Sequence, residues 1–355
     1  MPAGSIATAS GTNLVAVSHS TEDDRSPVTA IPSPAPTTSP APVPPVVALV
    51  RRRPLTSFFT LAFALSWLAW TPYVLSAQGL GLLPWHFPAL LGTTQLAGVL
   101  PGAYLGPLGA AWLVTRLADG PAGVRVWLGR ITRWRVGWRW WVGVVVGVPV
   151  VLVVGGVVLD TEDRLQFPPA AVLLLYVPML LLQVVTTGLA EEPGWRDFAL
   201  PRMQPRFGPV RGTVILGFLW GLWHLPLFLT EWGGWPDVRP ADVIAFVLGA
   251  VAFSIVMTWV FNRTGQSLPV AIVLHAGVNT FFSLVWTPVF GDDGGGHSTG
   301  AVLLVASAMV ATVLLVATRG RLGYEPAARG GPPVSSAPDV ARDLVRPDTR
   351  STELE

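Results

Sequence analysis

Apolar stretches long enough to cross a lipid bilayer recur along this chain, and they limit its fold more than any other feature. A helix needs about 20 such residues to span the hydrocarbon core. The stretches run near 55–77, 95–117, 140–159, 170–190, 209–229, 241–261, 267–289 and 300–318. They predict an all-α, polytopic integral membrane helix bundle of about eight transmembrane helices. The second stretch is interrupted by Pro101 and Pro107 and is the least regular.

Composition points the same way. Only 12% of the 355 residues are charged, about half the roughly 25% of an ordinary soluble domain. Mean hydropathy is +0.53. A wholly disordered chain and a soluble enzyme both fit this poorly. With no Cys, a disulfide scaffold and any Cys-ligated zinc or iron–sulfur centre are excluded. The net charge is +2 while the pI is about 9.5. Every basic side chain is Arg, which stays charged to high pH. That usage fits GC-rich coding and is not read as a nucleic-acid signal.

The two ends differ from the middle. The run Pro32–Pro45 (PSPAPTTSPAPVPP) has no helical or strand period and too little apolar surface to fold. Residues 1–50 are therefore expected to form a disordered, Pro/Ala/Thr-rich tail. They lack the basic start and short apolar core of a signal peptide. After Arg319 the chain turns polar again, so 321–355 is expected to be a second disordered tail. The membrane domain occupies 51–320.

Charges in the connections alternate. Arg51, Arg52 and Arg53 precede the first span, and the next connection has no charged residue. Arg116, Arg125, Arg130, Arg133, Arg135 and Arg139 follow the second span. Asp160, Glu162, Asp163 and Arg164 follow the third. Arg196, Arg202, Arg206 and Arg211 follow the fourth, then Glu231, Asp237 and Arg239, then Arg263, then Asp292 and Asp293, then Arg319 and Arg321. The positive-inside rule puts both termini in the cytoplasm, as an even span count requires. The expected location is the cell (plasma) membrane, multi-pass. The Arg and Trp residues of 121–141 read as a membrane-interface segment, with the lipid bilayer and not a nucleic acid as the partner.

Ionisable groups inside spans are costly and usually functional. His224 stands in FLWGLWHLPLF and His275 in VAIVLHAGVNT. Asn279, four residues after His275, shares its helix face. Glu191 and Glu192 end the fourth span in TTGLAEEPGWRD, and Arg196 is four residues beyond Glu192. Pro193 interrupts helical geometry at that point. Trp220 and Trp223 read as packing groups, and Asp197, Arg202, Arg206 and Arg211 as solvated or headgroup-facing.

A carboxylate beside an imidazole can act as general base on water. A second His with an Asn can donate to a developing oxyanion. The set therefore suits hydrolysis without a covalent nucleophile. Two His and two Glu also suit a divalent metal, although the His-Glu-x-x-His string of helical zinc proteases is missing. Depth is the difficulty. At about 1.5 Å per residue, His275 lies roughly 12 Å and His224 roughly 20 Å from the inner ends of their spans. Glu191, by contrast, falls at a rim. Convergence requires the fourth span to end deeper or the fifth to begin later.

The three clusters, in this order, resemble the CPBP family of intramembrane glutamic endopeptidases, which includes CAAX prenyl proteases and bacteriocin-processing enzymes. The Glu-Glu-x-x-x-Arg motif stands as Glu191-Glu192-Pro193-Gly194-Trp195-Arg196. The aromatic-x-x-x-His motif, usually opened by Phe, stands as Trp220-Gly221-Leu222-Trp223-His224. The His-x-x-x-Asn motif stands as His275-Ala276-Gly277-Val278-Asn279. The resemblance implies that Glu191 and His224 activate a water while His275 and Asn279 hold the oxyanion. Glu192 and Arg196 are then supporting residues, and no metal or cofactor is needed. The expected activity is hydrolysis of a peptide bond in a membrane-associated peptide or protein, near the cytoplasmic membrane face. The alternatives are a non-enzymatic immunity or scaffold protein of the same fold, or a metal-dependent membrane hydrolase.

Overall fold

The computed structural model describes residues 44–159, 165–291 and 298–326. Both tails, except for their inner edges, lie outside these residues, as do the acidic connection 160–164 and the pair Asp292 and Asp293. Among the described residues the chain is helices and connections, with one isolated bridge between Leu90 and Thr93.

A short helix, α1 (Pro45–Arg52), precedes the first span, α2 (Pro54–Leu75). Then come α3 (Gln95–Ala118), a connecting helix α4 (Gly120–Gly129), α5 (Trp138–Leu159) and α6 (Ala170–Phe207). The last four are α7 (Pro209–Leu229), α8 (Pro240–Arg263), α9 (Leu268–Phe290) and α10 (Thr299–Ala317). Eight of these are long and apolar enough to cross a membrane. Seven of them end close to where hydropathy puts them, and α6 departs.

The start of the membrane domain also departs. Helix α1 begins at Pro45, inside the segment read as a tail. Proline suits the first turn of a helix, where its missing N–H costs nothing. Val50 is buried, and Arg51 Nε donates to the Leu117 carbonyl at 3.4 Å. At the other edge Leu322 is buried, and its carbonyl accepts from Asn262 Nδ2 at 2.9 Å.

Helix α9 is the most enclosed span, packed against α5, α6 and α8. Helix α8 lies along α7 and α10. Lipid tails are as apolar as these helix faces, so close van der Waals contact drives their association. Small residues allow it. A side chain added at Gly155 would stand 2.6 Å from the Ala306 methyl, and one at Gly217 would stand 2.8 Å from the Val251 Cα.

Helix α6 changes character along its length. Its first half exposes Leu173, Leu174, Val177, Leu181 and Val185, a lipid-facing surface. From Ala190 to Leu200 every residue is buried. The expected end at 190 is therefore corrected to Phe207. Pro193 does not stop the helix, because Pro193–Ala199 form a wider π-helical segment. The looser winding accommodates a residue that has no N–H and whose ring crowds the preceding turn. Two further π segments, Tyr104–Leu108 in α3 and Val184–Gly188 in α6, lie beside this region.

Candidate active site

The extension of α6 settles the depth problem. Glu191 and Glu192 do not sit at a membrane rim; both are buried within the bundle. Their helix passes between α3, α7 and α9 at that level, so Glu192 meets His275 and Glu191 lines the same cavity as both histidines.

Glu191 Oε2 accepts from Trp220 Nε1 at 2.7 Å. Glu192 Oε1 lies 2.8 Å from His275 Nδ1, and its other oxygen lies 3.3 Å from Arg196 Nε. The i,i+4 ion pair expected from sequence is thus present, and neither partner is exposed. Arg196 Nη2 also donates to Ser254 Oγ at 3.1 Å, and the guanidinium stands 5.3 Å from the Trp220 ring centre. One buried cation therefore pairs with Glu192 and packs on the indole that donates to Glu191. Breaking a buried pair leaves an uncompensated charge and is strongly destabilising.

The histidines are held differently. His224 Nδ1 lies 2.9 Å from the Trp220 carbonyl, which can only accept. Nδ1 therefore carries the proton, and in the neutral ring Nε2 is left as an acceptor. Four aromatic rings surround His224: Trp223 at 4.7 Å, Phe246 at 5.0 Å, Trp232 stacked at 5.6 Å and Trp220 at 5.8 Å. His275 stands edge-on to Trp220 at 5.2 Å, with Glu192 on its Nδ1. A ring that donates from both nitrogens there is an imidazolium with Glu192 as its counter-charge.

Glu191, His224, His275 and Asn279 all line one cavity of about 500 Å³. Glu192 and Arg196 do not line it; Glu192 holds His275, and Arg196 lies against the Trp220 ring. Thr186, Thr187 and Gln183 line the cavity along α6, and Leu96, Val99, Leu182 and Phe246 supply apolar wall. Exposed Leu91, Gly92 and Gln95 lie at its mouth. Among the described residues, no group of three or more His, Asp or Glu side chains is placed to hold a metal ion.

Two sequence readings are corrected here. Trp220, read as a packing group, donates directly to Glu191; its position four residues before His224 on one helix face was the available signal. Asp197, read as solvated, is buried and lies 2.9 Å from Arg130 Nε. The partner comes from the connection after α3, which no local spacing reveals. Trp223 does pack, donating to Ser66 Oγ at 2.7 Å. Arg206 and Arg211 are exposed as expected. Within 121–141, Trp134 and Trp138 are exposed, whereas Trp127 is buried with its Nε1 on the Pro193 carbonyl at 3.2 Å.

The cavity also bears on orientation. Its mouth adjoins the connections after α2 and α7. These are tied together by Glu231 N to the Gln78 carbonyl at 2.8 Å, and by the Tyr73 and Thr94 hydroxyls on the Glu231 carboxylate. With each span crossing once, that face is opposite the one where α2 begins and α10 ends. Cytoplasmic termini and a cavity entered from the cytoplasmic face therefore exclude each other.

Residues 173–281, which contain all three clusters, match the family model described as Type II CAAX prenyl endopeptidase Rce1-like. A protein named CAAX prenyl protease 2, from Methanococcus maripaludis, is 27% identical over 138 residues. The aligned part is 38% of this chain and 49% of the relative, so the chain spans about half the length of the curated relative it matches.

Proposed function

We propose that the chain, whose residues 173–281 match the Rce1-like CAAX prenyl endopeptidase model, is an intramembrane endopeptidase of the glutamic type. The reading rests above all on Glu191, His224, His275 and Asn279 sharing one cavity between membrane spans. Glu191 is oriented by Trp220, and His224 keeps Nε2 free to accept.

In this mechanism a water between Glu191 and His224 attacks the peptide carbonyl carbon. Its proton passes to the base. The carbonyl oxygen becomes an oxyanion, received by His275 Nε2–H and the Asn279 amide. Collapse breaks the C–N bond as the held proton moves to the leaving nitrogen. Glu192 and Arg196 position His275 and Trp220. None of these steps requires a metal or cofactor. The substrate is a membrane-associated peptide or protein, and the enzyme resides in the plasma membrane.

The test compares protein termini in host membranes carrying wild type or Glu191→Gln at equal abundance. New termini confined to the wild type are the expected result. Identical profiles across growth conditions refute the protease reading and favour an immunity or scaffold protein of this fold.

A further inference from the structure

The cavity runs from the middle of the bundle, at Glu191, Trp220, Phe253 and His275, to one end of it. Trp70 lies near the end of α2, Leu96 at the start of α3 and Met179 in the first third of α6. Leu227 lies near the end of α7, Phe246 near the start of α8 and Leu303 near the start of α10. In an up-and-down bundle these positions share one face, the face that carries Gln95 and Glu231.

Towards the other face the site is closed. Every residue from Pro193 to Ala199 is buried, and Trp127 and the Arg130–Asp197 pair cover that stretch. The charges divide along the same axis. The closed face carries Arg51, Arg53, Arg135, Arg206, Arg263 and Arg321, among others. The open face has Arg239 among its described residues, paired with Asp242 at 2.9 Å, together with Glu231 and Asp237. Arginine in short connections is retained on the cytoplasmic side during insertion, and acidic residues contribute little to that choice.

We infer that the catalytic cavity opens away from the cytoplasm, so that its substrates are peptide segments presented at the outer face of the membrane. An extended segment entering past Gln95 would descend along Gln183 and Thr187 to Glu191 without meeting a fixed cation among the described lining residues. This deepens the endopeptidase reading and rests on it for the word substrate. The direction of opening is independent of turnover.

The natural absence of cysteine makes the test direct. Single variants Gln95→Cys and Asp237→Cys mark the open face, and Arg135→Cys and Arg206→Cys the closed face; all four positions are exposed. Each is treated with a charged, membrane-impermeant maleimide in right-side-out spheroplasts and again after permeabilisation. The expected result is labelling of the first two in intact spheroplasts and loss of labelling of the last two until the membrane is opened. Labelling of Gln95→Cys and Asp237→Cys only after permeabilisation overturns the inference, and so does labelling of the arginine positions before it. Because labelling is blind to catalysis, an outward-facing but inactive protein would uphold the orientation while Glu191→Gln separately rejects the protease.

Discussion

Replacing Trp220 with Phe tests how Glu191 is held. The change keeps an aromatic ring between Arg196 and His275 and deletes the indole N–H that donates to Glu191 Oε2 at 2.7 Å. Both partners are buried, and a cavity water that takes the donor's place does not fix the carboxylate as the indole does. A hydrogen bond to a charged group contributes about 1.5–3 kcal/mol. If that bond fixes the carboxylate against the attacking water, its loss lowers turnover roughly 10- to 150-fold. Substrate affinity should change little, since the indole N–H faces the carboxylate and not the cavity mouth. The assay is the initial rate on a peptide found by terminus comparison, in proteoliposomes, with thermal unfolding followed in parallel. Tyr176→Phe is the control. It deletes a 3.3 Å bond to the Val145 carbonyl, and neither residue lines the cavity. It should cost about 1 kcal/mol of stability and leave the rate unchanged. A Trp220→Phe protein that is folded and within about twofold of the wild-type rate refutes the reasoning, because orientation by the indole would then contribute under 0.5 kcal/mol, roughly.

Further predictions concern groups that do not line the cavity. Arg196→Met removes one of the two partners of the buried Glu192 carboxylate and should cost about 3–5 kcal/mol, read as a large drop in the unfolding midpoint. The double variant Glu192→Gln/Arg196→Met should regain much of that stability and remain inactive, since His275 loses its counter-charge; full activity would show that Glu192 has no positioning role. Arg130 and Asp197 should couple by about 0.5–3 kcal/mol in a double-mutant cycle, and additive effects would refute the pairing. Gly194→Ala would place a methyl 2.6 Å from the Pro107 carbonyl oxygen and should destabilise by about 1–3 kcal/mol; an unchanged midpoint would mean the two π segments separate readily.

The eight spans and the polar residues of the candidate site are legible in the residues because both are local. A run of about 20 apolar residues has few alternatives in a bilayer. His224, His275 and Asn279 declare themselves by standing where polar groups are expensive. Even the ion pair of Glu192 with Arg196 follows from four-residue spacing, provided the helix continues. Continuity is where local reasoning fails. Pro193 argues for a break, and the tertiary structure resolves it through π winding beside the irregular turn of α3. Spacing says that Trp220 faces the same way as His224, but not that its N–H meets a carboxylate from another span. Asp197 looks solvated until Arg130 arrives from a distant connection. Periodicity assigns each residue to a helix face, and the alternation of charge assigns each helix a direction. Neither says at which end of the bundle eight helices leave room between them. That depends on how side chains from all the spans pack together, so the side from which the site is entered belongs to the tertiary structure alone.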